Sequence, residues 1–472
     1  MSFKDSHILV FDIGKTHVKV SILNKNGREL YRNRKSNHVM QTQPYHSYDV
    51  DGIWLWLKEE LSKLADQFQI SGISIATHGA AAALIDRRTQ KLLLPVMDYE
   101  FAAYPEEFRD YESIRPPFEE TGSPSFPAGL NLGRQLYWQS HLLSEQEKEN
   151  AILLMYPQYW AWKLSGEVAT EITSLGCHTD LWSIKTNSPS SLLETLGLRE
   201  ALPSLQKAWE PIGLIKESLA TELDLNPDCA IYPGVHDSNA GYLPILRQPK
   251  TNRPTVVSTG TWSVIMDGNT DVKTLDASRD MLVNIDAEGS TLATARYMGG
   301  REFGLICEKL NTDIATTFVD EDIEAIINSN TFIMPSFASG SGPFPDHKGQ
   351  IDFDSGAFTI NGKAAATIYA ALMLNNILKR LNPNAKQDIL IEGSFAQNSV
   401  LCGLLAALNP ERKVRTQNTG NGVTEGCFLL TRWEEVLTEQ SNPIVAPYMP
   451  ETFLKYAALW DKKLVDMPEL VS

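Results

Sequence analysis

The chain has 472 residues, 43% hydrophobic and 21% charged, and its formal net charge of −16 comes with no basic run. That length exceeds one ordinary hydrophobic core and implies two or three domains, while the acidic balance argues against a nucleic-acid-binding surface. No apolar run is as long as a membrane span, residues 1–7 do not read as a secretory leader, and Cys177, Cys229, Cys307, Cys402 and Cys427 show no Cys-x-x-Cys spacing, so reduced, buried thiols in a cytoplasmic protein are expected.

In chain order, Ile8-Leu9-Val10-Phe11 is an apolar strand. The turn Asp12-Ile13-Gly14-Lys15-Thr16 follows, and then Val18, Val20 and Ile22 alternate with polar residues, which is the pattern of a glycine-turn hairpin. A P-loop is excluded, because Leu9 stands where that pattern needs glycine and a strand follows where it needs a helix. Asp12 reads either as a carboxylate facing phosphates through Mg²⁺ or as a structural turn aspartate. Lys15 is a candidate point charge for phosphate. A helical pattern covers 51–67 and a strand 70–76. Beyond them Thr77-His78-Gly79 and Asp98-Tyr99 offer the donors and acceptors that a polyhydroxylated sugar needs, against the plainer reading of His78 as a structural histidine. Residues 128–164 read as a long helical middle.

The strongest catalytic candidate is Asp237, in Ile231-Tyr232-Pro233-Gly234-Val235-His236-Asp237-Ser238-Asn239-Ala240-Gly241, where an apolar strand gives way to small polar residues. A carboxylate at a strand end can take the proton of an attacking hydroxyl during phosphoryl transfer, and it can equally cap a following helix. A Ser-His-Asp hydrolase is excluded on the expectation that neighbours on an extended segment point in different directions. Residues 246–254 form a polar, proline-bearing linker. After it Thr255-Val256-Val257 opens a second hairpin through Ser258-Thr259-Gly260-Thr261-Trp262, whose hydroxyls suit a phosphate or simply line a β-turn. A helix at 363–381, a strand at 388–392 entering Gly393-Ser394, helices at 399–408 and 423–439, and an amphipathic run at 453–465 complete the chain. Ser341-Gly342 and Gly420-Asn421-Gly422 read as loops. Alternating helix and strand favours an α/β fold, and a glycine turn from each half suits a polyphosphate.

The ordered set Asp12-x-Gly14, Gly234-x-x-Asp237-Ser238-x-Ala240-Gly241, Ser258-Thr259-Gly260-Thr261 and the turn at Gly393 resembles the FGGY carbohydrate kinases of the actin/hexokinase/Hsp70 superfamily over roughly residues 7–460. Tyr159, Leu164, Gly166, Glu167, Thr170 and Glu171 are similar to a recurrent segment of that family. The resemblance implies two ribonuclease-H-like (actin-like ATPase) lobes, residues 1–245 and 246–472, with a nucleotide and sugar cleft, and ATP- and Mg²⁺-dependent phosphorylation of a ketose. It implies Asp237 as general base and Asp12 as the metal-facing carboxylate. Gly14, Lys15, Thr16, Thr259, Gly260 and Thr261 would hold phosphates, Gly393, Ser394 and Asn398 the adenosine, and His78, Gly79, Asp98 and His236 the sugar. The partners implied are a small sugar and ATP, with no nucleic acid and no membrane, and a homodimer is left open. The chain departs from the family in its first loop, Gly14-Lys15-Thr16-His17, where many members have glycine followed by two threonines or similar small residues, at Glu392-Gly393-Ser394, where a double glycine is usual, and at Gln158, often aspartate. The Ser-Thr-Gly-Thr-Trp string is similar to that of rhamnulokinases and fuculokinases, pointing to a 6-deoxyketohexose such as L-rhamnulose, with pentuloses as competitors. A non-catalytic sensor of the same fold would have no need of Asp237, and a chaperone would need a peptide-binding module that the stretch after Ser441 has no room for.

Overall fold

The computed structural model describes residues 6–249, 253–353, 360–417, 422–435, 442–448 and 450–467. Two compact units result, one of Met1–Arg247, Val283–Thr291 and Asn421–Leu437, the other of Gln248–Leu282, Leu292–Gly420 and Thr438–Ser472. A single linear boundary at 245/246 therefore does not describe where 283–291 and 421–437 pack.

In the first unit, β1 (Ser6–Ile13), β2 (His17–Leu23) and β3 (Glu29–Ser36) form an antiparallel meander. Helix α1 (Val50–Ala65) follows. Asp49 caps it by accepting the Gly52 N–H at 2.9 Å, and Ile53, Leu57, Leu61 and Leu64 recur on one face to fill the core. Next come β4 (Gln69–Thr77), β5 (Ala82–Asp86), β6 (Ala151–Met155), α2 (Tyr156–Ser165), α3 (Ile172–Leu175), β7 (Gly213–Leu214), β8 (Ala230–Ile231), β9 (Val235–His236) and α4 (Asp237–Leu246). The seven-stranded sheet has the order β7-β8-β4-β1-β2-β3, with β9 also on β4. β4 runs parallel to β1, β8 and β9, which brings the C-terminal ends of β1, β4 and β9 to one edge. β1 is apolar from Ile8 to Phe11 because it lies between two strands with both faces covered.

Beyond the linker, β10 (Thr255–Thr259), β11 (Ser263–Asp267), β12 (Met281–Ile285), β13 (Thr291–Tyr297), α5 (Gly299–Lys309), α6 (Gly362–Leu381), β14 (Ile389–Gly393), α7 (Ser399–Leu408) and β15 (Val414–Gln417) form a sheet flanked by helices. The strand order is β12-β13-β11-β10-β14-β15. β10 and β11 are antiparallel and β14 is parallel to β10, so the arrangement of β1, β2 and β4 is repeated. α6 is alanine-rich and buried almost all round, as a core helix is. The chain then returns with α8 (Gly422–Leu430), which packs on α4, β1 and β4 in the first unit, and closes with α9 (Phe453–Val465) in the second.

Two expectations are corrected. The helical middle at 128–164 is interrupted: helices Leu132–Leu142 and Glu145–Asn150 precede the strand Ala151–Met155, which pairs with Ala82–Asp86. A five-residue apolar run fits either element, and here strand pairing decides it. The helix expected to reach Glu439 ends at Leu430 and passes into turns, and positions 436–439 lie outside the described residues, as do 250–252 of the linker and Gly420-Asn421. All five cysteines are buried and unbridged. Among the described residues no helix is long and apolar enough to cross a membrane.

Candidate active site

The parallel register puts Ile13, Thr77 and His236 in one row, so Asp12 and Asp237 emerge at the same sheet edge. Ligands of α/β sheets bind outside such carboxyl ends. Asp237 is the first residue of α4, where the helix dipole favours a carboxylate. Its Oδ1 accepts the Ser238 N–H at 2.6 Å, and the side chain keeps 31% exposure. The crowded, desolvating surroundings raise its pKa above the ordinary carboxylate value, a shift that His78 and the Ser238 bonds partly oppose. Asp237 is thus not the capping residue, a position that His236 holds without a side-chain bond, but the first residue of the helix, with its carboxylate on the next N–H.

His236 Nε2 lies 3.3 Å from Asp237 Oδ1, contrary to the expectation that these neighbours diverge. The chain bends into α4 at this point and is no longer extended. Burial drives the pKa of His236 down to about 4, so it is neutral at physiological pH, and the Ser238 hydroxyl lies 3.4 Å from Asp237. Thr173 Oγ1 accepts the His236 N–H at 3.0 Å and donates to Glu171 Oε2 at 2.6 Å. Glu171 is fully buried, caps α3 through the Thr173 and Ser174 N–H groups, and has its pKa pushed up to about 7 by burial. This chain from Glu171 to the residue before Asp237 escaped the sequence reading. The only local signal is a Glu-x-Thr cap.

His78 donates Nδ1–H to the Gly79 carbonyl at 2.8 Å, so Nε2 carries a lone pair, and that atom is buried without a partner among the described residues. Burial lowers its pKa to about 4. The rings of Tyr48, Tyr99 and Tyr156 surround it at 4.9, 5.5 and 5.2 Å. At Gly79 a Cβ would lie 2.9 Å from His236 Nε2, so the absence of a side chain there lets the His236 ring approach this closely. Asp98 is 4% exposed, and its Oδ1 takes Lys15, the Tyr48 hydroxyl and the Glu100 N–H. Lys15, expected on the phosphates, is thus engaged with Asp98 and with Glu100 at 3.2 Å. In the turn itself, Gly14 N–H donates to the His17 carbonyl at 2.9 Å, and the exposed Thr16 hydroxyl lies 3.1 Å from His17 Nδ1.

Asp12 is 5% exposed, and Lys19, its cross-strand partner, donates to Oδ2 at 2.9 Å. Reading the hairpin in register would have found Lys19. Burial raises the pKa of Asp12 and the neighbouring Asp237 charge adds to the rise, while Lys19 lowers it. Gln158 donates to the carbonyls of Pro233 and Gly234 at 3.0 Å each, bracing the segment before β9. No group of three or more potential metal ligands exists among the described residues.

The second unit has its own candidate site. Thr259 is buried; its hydroxyl accepts the Phe395 N–H at 2.9 Å and donates to the Glu392 carbonyl. Gly393 has φ +81°, and a Cβ there would fall 1.9 Å from the Thr259 carbonyl oxygen. Gly260 and Thr261 are exposed at the turn, with Gly260 N–H donating to the Trp262 carbonyl at 2.8 Å. A cavity of about 570 Å³ is lined by Gly300, Phe303, Lys363, Ser394, Gln397 and Asn398 among others. Asn398 caps α7 through the Leu401 N–H and donates to the Thr367 hydroxyl, so its amide is fixed at the rim. Apolar rings with amide and ammonium groups can seat a flat heterocycle beside polar substituents.

A two-domain mixed α/β chain of this kind has the actin-like ATPase fold. The FGGY carbohydrate kinase N-terminal domain matches residues 7–243 and the C-terminal domain residues 251–440, and the chain belongs to the FGGY family of carbohydrate kinases. It is 25% identical over 279 residues to L-fuculokinase of Haemophilus influenzae, covering 55% of this chain and 57% of that one. To the xylulose kinase of Bacillus subtilis it is 21% identical over 271 residues, covering 55% and 53%. The chain thus spans little more than half the length of these curated relatives. A crystal structure of a carbohydrate kinase from Novosphingobium aromaticivorans is similar at TM-score 0.87 and 31% identity, over 98% of this chain and 99% of that one.

Proposed function

We propose that this protein transfers the γ-phosphoryl group of ATP to a hydroxyl of a ketose, a 6-deoxyketohexose such as L-rhamnulose or L-fuculose. The observation that carries the reading is Asp237: a part-exposed carboxylate of raised pKa at a helix N-terminus, beside Asp12 at the open edge of a parallel sheet. Its role is to accept the proton of the attacking sugar hydroxyl and to hold that oxygen in line. The transition state is loose, so positioning and charge neutralisation contribute more than base strength. Asp98 and His78 supply acceptors for further hydroxyls, and the 570 Å³ cavity of the second unit is suited to the adenosine.

Magnesium fits Asp12. One carboxylate oxygen takes Lys19, the other has no partner among the described residues, and a cation would relieve the repulsion from Asp237. When bound, the ion neutralises phosphate charge. A neutral sugar is favoured over a sugar acid, because Lys15 and Lys19 are already paired with carboxylates and His78 and His236 are held neutral. The similarity to a xylulose kinase supports a pentulose as the second reading.

The test is ADP release with Mg²⁺-ATP over L-rhamnulose, L-fuculose, D-xylulose, D-ribulose and gluconate. One ketose giving strong turnover supports the reading. ATP binding with silence across the panel overturns it in favour of a sensor. With the active ketose, Asp237→Asn is expected to lower kcat by about 10³-fold. The base must be ionised and burial raises its pKa, so kcat/KM of the unmodified protein should fall on acidification at a pH above the ordinary aspartate value of about 3.9.

A further inference from the structure

Lys15 belongs to the first hairpin by sequence, but its ammonium is committed elsewhere. It pairs with Asp98, lies 3.2 Å from Glu100, and sits over the rings of Tyr99 and Tyr48 at 4.6 and 5.2 Å. The side chain is only 18% exposed. The donors on Asp98 all fall on one oxygen: Lys15, the Tyr48 hydroxyl at 3.2 Å and the Glu100 N–H at 3.2 Å share Oδ1, and Oδ2 has no partner among the described residues. A carboxylate this buried needs its paired cation, and three donors on one oxygen fix the plane in which the other is presented.

We infer that Lys15 is a positioning residue of the sugar site and not a phosphate ligand: with Tyr48 it locks Asp98 so that Oδ2 is the acceptor for one substrate hydroxyl. Lys15 thereby ties the tip of the first hairpin to the segment that reads the sugar. Glu100, 65% exposed, takes up the remaining charge of the ammonium. This inference rests on the proposed reading of Asp98 as a sugar contact.

The experiment separates the two substrates. Binding of L-rhamnulose, L-fuculose and D-xylulose is measured by calorimetry without nucleotide, and KM for ketose and ATP is measured where turnover occurs. Lys15→Met should weaken ketose binding about tenfold or more while KM for ATP stays within about twofold, and Lys15→Arg, which keeps the cation, should restore most of the loss. Tyr48→Phe, which removes one donor from the same oxygen, should weaken ketose binding in the same direction by about threefold. A Lys15→Met protein whose KM for ATP rises with ketose binding unchanged, or in which neither moves, overturns the inference. Ketose binding without turnover in the unmodified protein would sink the kinase reading and leave the calorimetric test of Lys15 standing.

Discussion

The two glycine-turn hairpins share strand order, loop length and a parallel neighbour, yet their side chains are used in opposite ways. In the first, the charged groups are paired off, Asp12 with Lys19 directly opposite in the same hairpin and Lys15 with Asp98 on a separate segment. In the second, the hydroxyl that the sequence offers to a phosphate is taken up by backbone, since Thr259 joins β10 to the Glu392–Phe395 turn, and the approach of Gly393 to its carbonyl leaves no room for a Cβ. Equal topology therefore does not give equal chemistry. The first hairpin carries charges held in ion pairs, and the second a platform of backbone groups, with Gly260 and Thr261 exposed at its turn.

The strongest way to break this contrast is Gly393→Ala. The new Cβ would overlap the Thr259 carbonyl at a positive φ, and a loss of about 3 kcal/mol or more of stability, with weakened nucleotide binding, is expected from chemical denaturation and nucleotide titration. Unchanged stability would mean the platform is not rigid. Next comes Glu171, which supports the first unit's site from beneath. Its folded pKa is raised from 4.5 to about 7, so its effect on stability is most favourable below 4.5 and declines as pH rises to 7, by about 3 kcal/mol at most. Glu171→Gln should remove that slope in urea unfolding compared between pH 4.5 and 7.5, and a parallel pair of pH profiles would disprove the assignment. The finest comparison replaces the same residue type in both hairpins. Thr259→Val leaves the Phe395 N–H without its acceptor and should cost about 1–3 kcal/mol, whereas Thr16→Val, at an exposed hydroxyl, should change thermal stability by less than about 0.5 kcal/mol.

Both hairpins and the strand-end position of Asp237 were legible because each rests on a local pattern: apolar alternation broken by glycine, or a strand that runs out into small polar residues. The alternation also anticipated α6 and α7 almost to the residue. What escaped depends on partners far along the chain. Lys15 meets Asp98 83 positions away, the Thr173 hydroxyl meets His236 at 63, and Thr259 meets Phe395 at 136. No local pattern encodes these pairings, and the strand Ala151–Met155 was missed for the same reason, since only its pairing with Ala82–Asp86 distinguishes it from helix. The adjacency of His236 and Asp237 was misjudged because the segment was taken as extended, whereas the chain turns into a helix at Asp237.

The return of α8 to the first unit bears on how the polypeptide is made. β1, β4 and α4 emerge from the ribosome early, but the helix that covers them begins at Gly422, far along the chain from the end of α4 at Leu246, and Trp433 beyond it stacks on Trp209 at 4.0 Å with Arg247 over its ring at 4.6 Å. The nascent N-terminal half must wait, with an apolar face uncovered, until nearly the whole chain has been translated. A fragment that stops at the linker would lack its own lid, and splitting the gene there would yield a sticky half instead of an autonomous module.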